Sequence, residues 1–130
     1  MIINNKEQVV VINGKEFHCA MDVTMNYIGG KWKTVVLWYL MEGKKRFSEL
    51  RKQIPNITEK MLSLQLKNLE SDGIVGRKVY SEIPPRVEYF LTDFGKSLIP
   101  ILEEIALWGR VHAKAKGKMV EVKKKKTQKA

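Results

Sequence analysis

Two stretches decide the fold: FSELRKQIPNITEKMLSLQLKNLESDGIV at residues 47–75 and PPRVEYFL at residues 84–91. In the first, Phe47, Leu50 and Ile54 fall on one face of a short helix. The Pro-Asn pair that follows breaks this helix and starts a tight turn.

A second helix is predicted to follow the turn. Thr58 is its expected N-cap, and Gly73 stops it after about Asp72. Its buried stripe consists of leucines at i, i+4 and i+7: Leu62, Leu66 and Leu69. The opposite, exposed face is then Lys60, Ser63, Leu64, Lys67, Asn68 and Ser71.

Two β-strands are predicted next, over Ile74–Tyr80 and Val87–Leu91, around a loop stiffened by Pro84 and Pro85. Helix, turn, helix and a two-stranded hairpin together form a winged helix-turn-helix. We therefore expect an α+β fold that is mainly helical, with an N-terminal β-hairpin and a C-terminal dimerisation helix.

The N-terminal hairpin is indicated by two short runs, Gln8–Ile12 and Lys15–Cys19, on either side of Asn13-Gly14. Asn-Gly between such runs is typical of a two-residue hairpin turn. At least one of these strands is expected to pair with the rest of the fold.

Three further helices are expected outside the decisive stretch. Asp22 is predicted to cap the first, over Val23–Ile28, and Lys31–Met41 forms the second. Thr92 or Asp93 caps the last, in which Pro100 is expected to produce a kink. The apolar positions of this last helix are more than a small domain needs, which predicts a partner subunit: Phe94, Leu98, Ile101, Leu102, Ile105 and Trp108.

The charge of the chain is concentrated near its C-terminus. The chain has 130 residues and a formal net charge of +10, which favours a polyanionic partner, either nucleic acid or an anionic membrane. From Lys114 onward, eight lysines stand against one glutamate, whereas residues 1–113 carry sixteen basic and thirteen acidic side chains. The overall charge therefore reflects the tail, and residues 114–130 are expected to be disordered or to form a helix that frays into disorder.

Three observations favour a cytoplasmic protein. No apolar stretch approaches the ~18 residues that cross a bilayer, so no membrane association is expected. The first residues lack the pattern of a signal peptide. Cys19 is the single cysteine, so no disulfide can form within the chain.

The exposed face of the second helix of the motif offers the two kinds of contact that DNA recognition needs. Thr58 and Lys60 lie at its N-terminus, where free N–H groups favour a phosphate. Further candidates are Ser63, Leu64 (for a thymine methyl group), Lys67 and, at the flank, Gln65. Around the wing loop, the candidates are Arg77, Lys78 and Arg86. The competing interpretation is an ordinary solvated helix face, and the order of elements favours DNA binding.

Several motifs of the chain are distinctive together: Ile28-Gly29-Gly30-Lys31-Trp32, Arg46-Phe47-Ser48-Glu49-Leu50, Lys60-Met61-Leu62, Leu69-Glu70-Ser71-Asp72-Gly73-Ile74-Val75, Pro84-Pro85-Arg86-Val87-Glu88-Tyr89 and Leu91-Thr92-Asp93-Phe94-Gly95. They closely resemble the HxlR family of bacterial and archaeal winged-helix transcription regulators, which are related to the MarR type. The resemblance runs from about Cys19 to Gly109. It implies a homodimer on a roughly palindromic operator of double-stranded DNA, and it adds Arg46, Ser48 and Met61 to the candidate DNA-binding residues.

Cys19 has two interpretations. Some HxlR-like regulators sense quinones, aldehydes or oxidants through a cysteine at this position, which implies a redox or small-molecule effector here. The family often shows Cys-Pro, whereas this chain has Cys19-Ala20. The other interpretation is a small packing residue, which is common for a free cysteine.

Other functions find less support. His18 and His112 are far apart and lack neighbouring ligands, so no metal or cofactor is expected. Trp32, Trp38 and Trp108 indicate core or interface rather than a ligand pocket. No motif of an enzyme is present. The alternative to a DNA-binding regulator is a protein- or RNA-interaction module on the same fold. We expect an N-terminal arm at 1–20, the winged helix-turn-helix at 21–113 and a basic tail at 114–130.

Overall fold

The computed structural model describes residues 2–3, 6–7, 9–117 and 120. The expected disorder of residues 114–130 falls mostly on positions 118–119 and 121–130, which lie outside the described residues. Within the described chain, no helix is long and apolar enough to cross a membrane.

Two short β-hairpins precede the helices. The strands β1 (Ile2–Ile3) and β2 (Lys6–Glu7) pair antiparallel, as do β3 (Val10–Ile12) and β4 (Lys15–Phe17). The second pair confirms the predicted hairpin, and positive φ angles of 49° at Asn13 and 79° at Gly14 form its turn.

The expectation that a strand of this hairpin joins the rest of the fold is wrong for the described residues, because β3 and β4 pair only with each other. The hairpin is attached instead through its side chains. Phe17 is buried, and Lys15 Nζ donates a hydrogen bond to Asn26 Oδ1 at 3.3 Å. Because only two residues separate β4 from the next helix, the hairpin stays beside that helix.

Four helices follow: α1 (Ala20–Ile28), α2 (Lys33–Leu40), α3 (Phe47–Gln53) and α4 (Glu59–Ser71). The prediction that Asp22 caps α1 is wrong, because Cys19 occupies the N-cap position. The Asp22 carboxylate instead accepts a hydrogen bond from the His18 backbone N at 3.1 Å. The helices meet in a core whose most deeply buried side chains are apolar: Val36, Leu37, Leu50, Ile54, Leu62, Leu66 and Leu69.

A three-stranded antiparallel sheet forms the wing, with strand order β5-β7-β6. The two strands of the predicted hairpin are β6 (Val75–Tyr80) and β7 (Arg86–Leu91), and β7 is the central strand of the sheet. The third strand, β5 (Lys45–Arg46), is not among the elements expected from the sequence. A strand of two residues is too short to show alternating apolar and polar positions. Strand β5 forms because its backbone pairs with Tyr89 and Glu88 of β7.

The single helix predicted after the wing is two helices, α5 (Asp93–Lys96) and α6 (Ile99–Lys116). Thr92 caps α5, accepting from Gly95 N at 3.1 Å, while its hydroxyl donates to the Gly73 carbonyl at 2.5 Å. Pro100 does not kink a continuous helix. It lies in the first turn of α6, where a backbone N–H would have no hydrogen-bond partner within the helix, so proline is tolerated there.

Helices α1, α5 and α6 carry several large apolar side chains that are exposed. Trp108 is 70% exposed on α6, and Met21 is 65% exposed on α1. The other exposed apolar side chains of α1, α5 and α6 are Met25, Phe94, Ile101, Ile105, Leu107 and Val111. We call this set the apolar face. Large exposed apolar patches mark interaction surfaces in soluble proteins.

Candidate nucleic-acid interface

Helix α4 presents a row of exposed side chains along the side opposite its buried leucines. Lys60, Ser63, Leu64 and Lys67 are all exposed, and Leu64 retains 48% of its surface. We call these four residues the recognition face. Its charged, hydroxyl and methyl groups can contact phosphates, base edges and thymine methyl groups respectively.

The start of α4 is fixed by the predicted cap. Thr58 is exposed, and its Oγ1 accepts a hydrogen bond from Met61 N at 3.0 Å. The remaining N–H groups of the first turn have no partner within the helix, so they are available to an anion that approaches this end.

Met61 and Gln65 lie at the border of the recognition face, and both are half-buried. The Gln65 side-chain Nε2 donates to Met61 Sδ at 3.1 Å, and Met61 packs against the core. Either residue must leave this arrangement to contact a base edge. The two are therefore less available than the four residues of the recognition face.

A groove of about 500 Å³ separates α4 from the wing. Ser63, Lys67 and Glu70 line it on the helix side, and Arg77 and Tyr89 line it on the sheet side. Arg77 Nε lies 3.9 Å from Glu70 Oε1 across this groove. The recognition face and one wing arginine thus border the same cleft.

The two wing arginines lie on opposite faces of the sheet. Arg77 and Tyr89 are paired in the register and share the face that buries Val75 and Leu91. Arg86 is paired with Tyr80, and each is separated from the Arg77–Tyr89 pair by an odd number of positions along its strand. Arg86 therefore belongs to the other face. The predicted pair of wing cations therefore straddles the hairpin.

Tyr80 holds two cations at once, which the sequence analysis missed. The Arg86 guanidinium lies 3.9 Å and Lys78 Nζ 4.9 Å from the centre of its ring. A hydrogen bond to Glu88 raises the pKa of the Tyr80 hydroxyl. The strand boundaries could have indicated the contact between Tyr80 and Arg86. In a hairpin, the last residue of the first strand lies opposite the first residue of the second.

A second groove, of about 510 Å³, lies between the wing loop and the start of α3. Arg46 and Ser48, both exposed, line one side, and Glu82, Ile83 and Arg86 line the other. The backbone N of Arg46 donates to Glu49 Oε1 at 2.9 Å, which fixes the first turn of α3. The structure thus brings Arg46, Ser48 and Arg86 together.

The candidate sensor, Cys19, lies apart from these grooves. It is a half-buried free thiol at the N-terminus of α1, beside the apolar face. Among the described residues, no group of three or more His, Cys, Asp or Glu side chains could hold a metal ion.

Comparison with protein families identifies this arrangement. The model of the HxlR-like helix-turn-helix matches residues 27–117, which include α4, the wing and α6. The chain belongs to the HxlR-like helix-turn-helix family. It is thus a sequence-specific DNA-binding transcription regulator and not an enzyme.

Relatives of this HxlR-like chain are also described as helix-turn-helix transcriptional regulators. An uncharacterized HTH-type transcriptional regulator of Bacillus subtilis (strain 168), YkvN, is 54% identical over 99 residues, which cover 76% of this chain and 84% of the relative.

Two solved structures share the fold. The redox regulator HypR in its oxidized form has 49% identity and a TM-score of 0.69, covering 72% of this chain and 96% of that one. The reduced form of YodB from B. subtilis has 38% identity and a TM-score of 0.63, covering 69% and 89%. They confirm the winged-helix fold predicted from the sequence.

Proposed function

We propose that this regulator binds a palindromic operator as a homodimer, with the recognition face of α4 in the major groove and the wing beside it. The single observation that carries the proposal is the position of the recognition face. Four exposed side chains begin at a capped helix N-terminus, and two of them line the groove that Arg77 borders. A second groove, between the wing loop and α3, is bordered by Arg46 and Arg86. We place this activity in the cytoplasm, where the DNA of bacteria and archaea lies.

The apolar face supports the dimer. Burying Trp108 and its neighbours on α6 against a second copy removes from water a surface that a monomer would leave exposed. Alongside α6, the apolar side chains Val35, Trp38 and Ile105 line a cavity of about 200 Å³ that a partner side chain can fill. Two-fold symmetry then sets the half-sites about 34–36 Å apart, one turn of DNA.

Phosphate contacts from two subunits make binding strongly dependent on salt. If the dimer neutralises about 6–10 phosphates, its affinity falls by about 10³–10⁵ between 50 and 200 mM salt.

The test separates base contacts from phosphate contacts. Alanine at Lys60, Ser63 and Leu64 is expected to reduce the preference for the operator over random DNA by about 1–3 kcal/mol per base contact. Lys96→Ala, an exposed lysine on α5, is the matched control and should leave this preference unchanged. An equal affinity ratio in the triple variant and the wild type would favour the alternative, an interaction module without base recognition.

A second proposal concerns an oxidant or electrophile as effector. We propose that Cys19 controls DNA binding, because two structural neighbours are a redox regulator, HypR, and YodB, which has also been crystallised after diamide treatment. Diamide, a thiol oxidant, is expected to lower the DNA affinity of the wild type and to leave Cys19→Ser unaffected. Unchanged affinity in the treated wild type would assign Cys19 to packing.

A further inference from the structure

Each wing arginine lies beside a carboxylate of its own chain. Arg86 Nη2 is 3.4 Å from Glu82 Oε1, and Arg77 Nε is 3.9 Å from Glu70 Oε1. The two acids come from different places, Glu82 from the wing loop and Glu70 from the C-terminal half of α4. Glu70 lines the groove between α4 and the wing, and Glu82 lines the groove between the wing loop and α3. We expect phosphates of the DNA backbone to approach both grooves.

Arg86 is the more closely held of the two. Its side chain is 29% exposed, compared with 49% for Arg77, and its guanidinium stacks on Tyr80. Its Nε is buried and makes no hydrogen bond within the described chain. A phosphate that replaces Glu82 at Nη2 would therefore break one ion pair and leave the buried Nε as it is.

We propose that Glu82, and to a smaller extent Glu70, compete with DNA phosphates for the wing arginines and occupy them unless a cognate operator is bound. A carboxylate and a phosphate compete for the same planar donors of arginine. On random DNA, where the recognition face finds no matching bases, the arginines stay with their carboxylates. On the operator, base contacts hold the backbone in place and the phosphates displace the carboxylates.

The expected effect is modest, because both pairs are exposed to solvent. An exposed ion pair contributes at most about 1 kcal/mol, which corresponds to about a fivefold change in affinity. The salt dependence is more informative than the affinity. Each phosphate that a freed arginine neutralises on random DNA steepens the logarithmic salt slope by about 0.9. On the operator, the arginines already contact phosphates, so the slope stays the same.

The experiment measures fluorescence anisotropy with two duplexes, one selected from random DNA by the wild-type protein and one of random sequence, over about 50–200 mM KCl. Glu82→Gln should bind random DNA up to about fivefold more tightly, with a salt slope steeper by about 0.9. It should tighten operator binding by at least as much, because the wild type breaks the Arg86–Glu82 pair there, and it should leave the operator slope unchanged. Glu70→Gln should also bind random DNA more tightly and with a steeper salt slope, but both changes should be smaller. Glu16→Gln, an exposed residue of β4 with the same change of charge, is the control and should alter neither slope.

This inference rests on the proposed contact between the wing and DNA, and one variant separates the two. Arg86→Gln should weaken binding to the operator, and adding Glu82→Gln to it should bring no gain on random DNA. If Arg86→Gln leaves operator binding unchanged, the wing contact itself is wrong. If Arg86→Gln weakens binding but Glu82→Gln leaves the salt slope on random DNA unchanged, or steepens both slopes equally, only the role of Glu82 is overturned.

Discussion

Replacing Thr58 with alanine removes the side chain that caps helix α4. In the structure, Thr58 Oγ1 accepts from Met61 N at 3.0 Å, and its exposed position means that no cavity forms when the hydroxyl and methyl groups are lost. The expected cost is that of a lost N-cap, about 1 kcal/mol. For a chain of this length, this free energy lowers the melting temperature by about 3–5 °C.

The assay is urea unfolding at fixed protein concentration. Thr58→Ala should lower the midpoint and leave the dependence on urea unchanged, because the surface exposed on unfolding is the same. Thr58→Ser keeps the hydroxyl acceptor and should retain most of the stability. DNA binding restores the first turn of α4 in the alanine variant, so its affinity should fall by no more than about fivefold through the lost cap. The role of the cap would be refuted if Thr58→Ala were as stable as the wild type, or if Thr58→Ser lost as much stability as Thr58→Ala.

Three other predictions follow from contacts and charge. A Cβ at Gly95 would collide with the Ile74 carbonyl oxygen, so Gly95→Ala should destabilise the fold by about 1–3 kcal/mol in urea unfolding, whereas Gly109→Ala, with open space around it, should not destabilise it. Trp108→Ala should weaken the dimer about thirtyfold in analytical ultracentrifugation; unchanged association would place the interface elsewhere. Deleting residues 118–130, which contain six lysines, should weaken binding to all DNA and reduce the salt slope; lost operator preference would contradict this.

The elements that carry function could be predicted from local sequence. The leucine spacing and Thr58 define α4 almost to the residue, because a helix with one buried face must repeat its apolar positions and satisfy its first N–H groups. The Asn13-Gly14 turn likewise defines the hairpin between β3 and β4. In both cases the structure depends on neighbours within a few positions along the chain.

The differences arise where distant residues decide. Strand β5 forms only because β7 pairs with it, and two residues cannot indicate that pairing in advance. Thr92, which caps α5, bonds back to Gly73 across nineteen positions, and the local pattern does not indicate this contact. For the same reason, the carboxylate beside Arg77 could not be assigned from the sequence. Glu70 and Arg77 meet through the position of α4 against the sheet.

Selection of bound sequences from random double-stranded DNA tests the central claim most directly, with the wild type compared to the variant that carries alanine at Lys60, Ser63 and Leu64. The wild type is expected to enrich a palindromic sequence with half-sites one turn apart, and the variant to enrich it weakly or not at all. Equal enrichment by both proteins, or no enriched sequence from the wild type, would contradict sequence recognition by the exposed face of α4.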